Sequence, residues 1–88
     1  MKVEFKSSFM KDLKKIKQKQ LQSQIRELIE KVELSVNITE LEHMKKLSGS
    51  DVYYRIRLGD YRTGLKIENN TVYFVRFLHR KDIYRYFP

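Results

Sequence analysis

The sequence predicts an α+β domain: an N-terminal strand, a helical hairpin, then a three-stranded antiparallel meander, in one sheet with the helices on one face. Three observations carry that prediction. Residues 2–6 alternate apolar and charged side chains. Two basic stretches between residues 9 and 32 repeat apolar residues at helical spacing. After residue 51, three runs rich in β-branched and aromatic residues are separated by two-residue turn pairs.

In the first strand Val3 and Phe5 share one side, and Lys2, Glu4 and Lys6 the other. Ser7 and Ser8 end it and read as helix caps. Phe9, Leu13 and Ile16 then mark a first helix, and Lys17-Gln18-Lys19-Gln20 breaks its pattern. Leu21, Ile25, Leu28, Ile29 and Val32 form one stripe of a second helix, with Gln22, Arg26, Glu27, Glu30 and Lys31 opposite. Between Asn37 and Ser50 the spacing of Leu41, Met44 and Leu47 suggests another helical turn or two, ended by Ser48-Gly49-Ser50. Strands are expected at 52–58, 61–67 and 71–78. Gly59-Asp60 and Asn69-Asn70 join them, pairs suited to two-residue hairpin loops with positive φ. The tail from His79 to Pro88 reads as either a short helix or an extended arm.

With 88 residues, one proline at the end, and no linker or repeat, the chain reads as a single domain spanning residues 1–88. Folding at this size removes only about 60–65% of the unfolded surface, so the eleven aromatics (six Tyr, five Phe) must fill one modest core. There is no cysteine, which excludes disulfides and thiolate metal sites and favours a reducing compartment. The charged opening segment is unlike the apolar heart of a signal peptide, and no apolar run is long enough to span a bilayer. A soluble, cytoplasmic protein is expected. His43 and His79, the only histidines, lie in unrelated segments, so neither a metal site nor a cofactor is expected.

The formal charge is +8. That excess either solubilises the surface or serves a polyanionic partner, and its placement decides between them. If Gly59-Asp60 is a two-residue loop, Arg57 lies opposite Arg62, Arg55 opposite Gly64 and Tyr53 opposite Lys66. Tyr53, Arg55, Arg57, Arg62, Gly64 and Lys66 then share one face, while Tyr54, Ile56, Thr63 and Leu65 face the core. Like charges directly opposite one another destabilise a sheet unless an anion binds between them. Guanidinium forks match phosphate in a way that lysine does not, so this density of arginine favours a phosphate site over a merely solvated face. Gly64 would leave open space beside the cluster for a ligand backbone.

A two-residue Asn69-Asn70 turn would pair Gly64 with Val75 and Arg62 with Phe77. His79 would then emerge on the cationic face, where an imidazole is suited to carry protons near neutral pH. The same register turns Arg76 towards the core, so either Arg76 snorkels to the edge or a bulge shifts the strand. Tyr84 and Tyr86 are either packing residues or rings on which an RNA base can stack. Phe87 reads as packing.

The run Tyr54-Arg55-Ile56-Arg57-Leu58-Gly59-Asp60-Tyr61-Arg62 resembles the "YRIRxGxYR" hairpin of the RelE/ParE toxin superfamily. Leu47 and Gly49 resemble the leucine and glycine before that hairpin, and His79-Arg80-Lys81-Asp82-Ile83-Tyr84 its "HRKxxY" close. The likeness covers nearly the whole chain and looks strongest to short archaeal and cyanobacterial RelE-like members. It implies the toxin of a type II toxin–antitoxin system, with a RelB-like antitoxin as partner. It further implies ribosome-dependent, metal-independent cleavage of mRNA in the ribosomal A site, with the RNA 2′-hydroxyl attacking to leave a 2′,3′-cyclic phosphate. By motif position Arg62 would hold the scissile phosphate and Arg80 would protonate or stabilise the leaving oxygen. Tyr84 would act on the 2′-hydroxyl or stack on a base. Arg55 and Arg57 would add electrostatic stabilisation, and Lys66 and Lys81 further phosphate contacts. His79 replaces a lysine of that pattern, and Arg80 and Tyr84 are closer in sequence than their counterparts. His79 would thus share in proton transfer. ParE-type members have the same fold and inhibit DNA gyrase, which gives the alternative function. An inactive, antitoxin-binding regulator is the third.

Overall fold

The computed structural model describes residues 1–38 and 41–88. In chain order the elements are β1 (Lys2–Phe5), α1 (Ser7–Lys14), α2 (Lys19–Leu34), β2 (Met44–Lys46), β3 (Tyr53–Leu58), β4 (Tyr61–Glu68), β5 (Thr71–His79) and α3 (Arg80–Tyr86). Among the described residues the strands form one sheet in the order β1-β5-β4-β3-β2. β1 runs parallel to β5, and the other neighbours are antiparallel. The expected α+β class and helical hairpin are present. β2 is an addition: where helical turns were expected, Met44–Lys46 instead pairs with Tyr54–Ile56 at the sheet edge. Thr39 and Glu40, within that same expected helical stretch, lie outside the described residues.

The core follows the apolar stripes. Phe9 of α1 and Leu21, Ile25, Leu28 and Val32 of α2 are buried against Ile56, Leu65, Val72, Phe74 and Phe77 of the sheet. Rings close the β1–β5 end, with Phe74 5.4 Å from Phe5 and 5.3 Å from Phe9 between centroids. The two helices separate after Lys14, and Gln22 Nε2 donates to the Ile16 carbonyl at 2.8 Å, holding the connection.

Both hairpin turns have two residues. Asn69 and Asn70 have φ of 53° and 59°, the I′ pattern, whereas only Gly59 (61°) is positive in the other turn, as in II′. The β3–β4 register is the one expected, with Arg57 opposite Arg62 and Arg55 opposite Gly64. The β4–β5 register departs from expectation. It runs regularly from the turn to Leu65–Phe74, then a bulge at Val75 places Gly64 opposite Arg76 and Arg62 opposite Leu78. The bulge lets both Phe74 and Phe77 face the core.

The bulge is held from α1. Ser7 and Ser8 do not cap the helix; Lys6 occupies the N-cap without a side-chain bond, and Ser8 Oγ donates to the Val75 carbonyl at 2.6 Å. One turn later, Asp12 accepts from Arg76 Nε (2.8 Å), Arg76 Nη2 (3.0 Å) and the Phe77 backbone N–H (2.9 Å). An i, i+4 pair on one helix face thus satisfies the polar groups that the bulge displaces from the ladder. Arg76 neither faces the core nor snorkels freely. Its guanidinium is held above the ordinary arginine value, chiefly by the hydrogen bond to Asp12.

The C-terminus takes the helical one of its two expected forms and corrects the expectation at Gly64. The tail is a short helix, and α3 returns over the arginine face, bringing Phe87 onto Gly64 and edge-on to Tyr53 at 5.6 Å. The space expected beside Gly64 for a ligand is therefore filled by a ring; a Cβ there would lie 2.7 Å from Phe87 carbons. Gly64→Ala is expected to destabilise the protein by about 1–3 kcal/mol, read from urea unfolding, because a buried ring must move. An unchanged midpoint would mean that Phe87 docks weakly.

Candidate nucleic-acid interface

β-sheet alternation delivers the arginines. Arg55 and Arg57 leave β3 on the face away from α1 and α2, and Arg62 joins them from β4. Tyr84 on α3 and His43, Met44 and Lys45 at the start of β2 complete the walls of an open basin of about 430 Å³. Tyr84 is 70% exposed, so its ring is available to a partner. The Arg55 guanidinium lies over that ring, 4.5 Å from its centroid, within cation–π range. Arg62 Nη1 donates to the Gly59 and Tyr61 carbonyls, both at 3.0 Å, which fixes the guanidinium on the turn. Among the described residues, no carboxylate pairs with Arg55, Arg57 or Arg62. Like charges crowd together here without a counter-ion among the described residues.

The remaining sequence-predicted residues fall outside this basin. Arg80 is exposed at the first position of α3, where its backbone N–H donates to the Asp60 carbonyl at 2.8 Å. It therefore borders the turn that Arg62 grips without lining the basin. Lys66 is paired with Glu68 at 3.4 Å, and Lys81 is exposed on α3. His79 is displaced furthest from expectation. The β5 bulge sets it opposite Tyr61, on the face that carries Phe77, with its ring edge-on to Tyr61 at 5.5 Å. Its Nδ1 accepts the Lys81 backbone N–H, so it caps α3 and does not face Arg57 or Arg62.

His43 is the residue that sequence reasoning missed. Its Nδ1 lies 3.1 Å from Arg57 Nη2, and its carbonyl accepts the Arg57 backbone N–H at 3.1 Å. Only the pairing of β2 with β3 brings it there. A positive-φ position (64°) ahead of a lysine pair was the sole local signal, and φ is not legible in one sequence.

Fold and site together define a small basic α+β protein with an arginine-lined basin on one sheet face. Residues 3–84 match the family described as ParE toxin of the type II toxin-antitoxin system, parDE. Toxin RelE3 of Methanocaldococcus jannaschii is 43% identical over 89 residues, covering all of both chains. The toxin fold in the RelB-RelE antitoxin-toxin complex from Methanococcus jannaschii superposes with a TM-score of 0.81 at 39% identity, over 96% of this chain and 98% of that one. The YoeB dimer from Staphylococcus aureus shares the fold alone, with a TM-score of 0.72 at 18% identity over 90% and 95% of the two chains. The chain belongs to the RelE/ParE superfamily of type II toxin–antitoxin toxins, and archaeal RelE proteins are among its relatives. Among the described residues, no helix is long and apolar enough to cross a membrane.

Proposed function

We propose that this protein, as one RelE-like domain over residues 1–88, is a cytoplasmic mRNA endoribonuclease that cuts the codon exposed in the ribosomal A site. The observation that carries the reading is the gathering of Arg55, Arg57 and Arg62 beside exposed Tyr84, with no carboxylate neutralising them among the described residues. Preorganised guanidinium donors stabilise charge that develops on phosphate oxygens. Arg62, already oriented by the turn carbonyls, holds the scissile phosphate. Arg55 and Arg57 add charge along the strand, and Arg80 at the turn stabilises the leaving 5′-oxygen. Tyr84 offers a stacking face to a base, and Arg55 behind it strengthens that face. Lys66 and Lys81 contact flanking phosphates. The RNA 2′-hydroxyl attacks and leaves a 2′,3′-cyclic phosphate. His79 takes no part, because the bulge turns it opposite Tyr61, onto the face that carries Phe77 and away from Arg57 and Arg62.

A RelB-like antitoxin is the expected partner; a protein 39% identical is known in a RelB-RelE complex. An acidic segment of such a partner would meet the arginines. One finding favours a second reading: the matching family is described as ParE toxin, the type for which the sequence resemblance implies inhibition of DNA gyrase. Two assays on the purified protein separate the readings. The first adds it to a translating extract with a defined message, and the second to gyrase with relaxed plasmid. Message cut only during translation, with supercoiling unimpaired, supports the ribonuclease. Intact message with blocked supercoiling reverses the assignment, and harmlessness in both points to an inactive regulator.

A further inference from the structure

Arginine nitrogens only donate hydrogen bonds. The 3.1 Å contact between Arg57 Nη2 and His43 Nδ1 therefore requires a lone pair on Nδ1 and places the ring proton on Nε2. Nε2 in turn lies 4.0 Å from Glu42 Oε2. On the basin side the charged or titratable groups around the ring are Lys45, Arg55, Arg62 and Tyr84. On the other side Glu27 and Lys31 of α2 line the neighbouring cleft.

We infer that His43 is the general base of the proposed cleavage, and that Arg57 covers its lone pair until RNA binds. The inference rests on the ribonuclease reading above. A phosphate offers Arg57 a charged, bidentate acceptor, which an imidazole nitrogen does not match. When Arg57 turns to the phosphate, Nδ1 is left facing the basin with its lone pair free. The 2′-hydroxyl proton passes to Nδ1 as the O2′–P bond forms. The P–O5′ bond breaks with its electron pair on the 5′-oxygen, which takes a proton from water. The imidazolium then returns its proton to the hydroxide left behind. The net change is isomerisation of the chain into a cyclic phosphate end and a 5′-hydroxyl end. While His43 is protonated it repels Arg57, which keeps the arginine on the phosphate until the product leaves.

His43→Asn is the informative variant. Asparagine tolerates the positive φ of this position and its amide oxygen can accept from Arg57, yet it cannot take up a proton. On ribosomes programmed with one codon in the A site, single-turnover cleavage is expected to fall about 10²–10⁴-fold. The acid limb of the wild-type pH profile, in the range of about pH 5–8 where imidazoles change charge, is expected to vanish. The thermal midpoint should hold. A variant that cuts at the wild-type rate, or one that is slow but keeps the acid limb, overturns the inference while the ribonuclease reading stands. Wild-type protein that leaves the RNA intact removes both. Nitrogen-15 NMR of the unmodified protein tests the cover independently of any variant, since the chain has only two histidines. A His43 ring protonated on Nε2 and accepting at Nδ1 is expected; a proton on Nδ1 overturns it.

Discussion

Replacing Arg62 by alanine is expected to lower single-turnover RNA cleavage by about 10²–10³-fold, the usual cost of losing one preorganised donor to a developing oxyanion. Stability should change far less. The side chain donates to two turn carbonyls, at 3.0 Å each, in a partly exposed setting. Hydrogen bonds of that kind contribute about 0.5–1.5 kcal/mol each. Arg62→Lys should fall between wild type and alanine, because it keeps the charge and loses the fork. Rates on programmed ribosomes, set beside urea unfolding of the same preparations, check both halves of the expectation. Cleavage that survives the alanine change would shift the phosphate site elsewhere in the basin.

The second large effect concerns folding. Asp12→Ala is expected to destabilise the protein by about 3–5 kcal/mol, the range for breaking a buried ion pair from one side. The Asp12 side chain is only 3% exposed, while that of Arg76 is 25% exposed, so solvent relieves part of the loss on the arginine side. The change strands the Phe77 N–H as well as the guanidinium. Asp12→Asn should cost less, since an amide oxygen can still accept from Phe77. The pair carries little pH dependence on the arginine side. A raised arginine pKa stabilises the fold fully below its unfolded value and is lost only as pH climbs through the still higher folded one. Calorimetry of the two variants measures the difference. A loss near zero for Asp12→Ala would mean that the bulge holds without α1.

The legible and illegible parts of this chain divide by range. The β3–β4 hairpin followed from Gly59-Asp60 and strand alternation, because turn length fixes register and register fixes facing. That alone put Arg55, Arg57 and Arg62 together. The β5 bulge was illegible as a choice, since Arg76 could be relieved by snorkelling or by a shift. What selects the shift is Asp12, 64 residues away. The misplacement of His79 follows directly, as one inserted residue turns the end of a strand over. β2 escaped notice because three residues carry no usable periodicity, and Leu41, Met44 and Leu47 imitated a helix. With β2 went His43. The filled space at Gly64 was equally hidden, because Phe87 reaches it only after α3 folds back.

The most direct test of the account is the chemistry of the RNA ends. Wild-type protein and Arg62→Ala are expressed in turn from a tightly controlled promoter, and message ends are mapped with methods specific for 2′,3′-cyclic phosphate and 5′-hydroxyl termini. Cuts within translated codons, bearing those termini and absent from the Arg62→Ala culture, are the predicted result. Growth arrest with unbroken messages, or cuts that persist unchanged without Arg62, would contradict it.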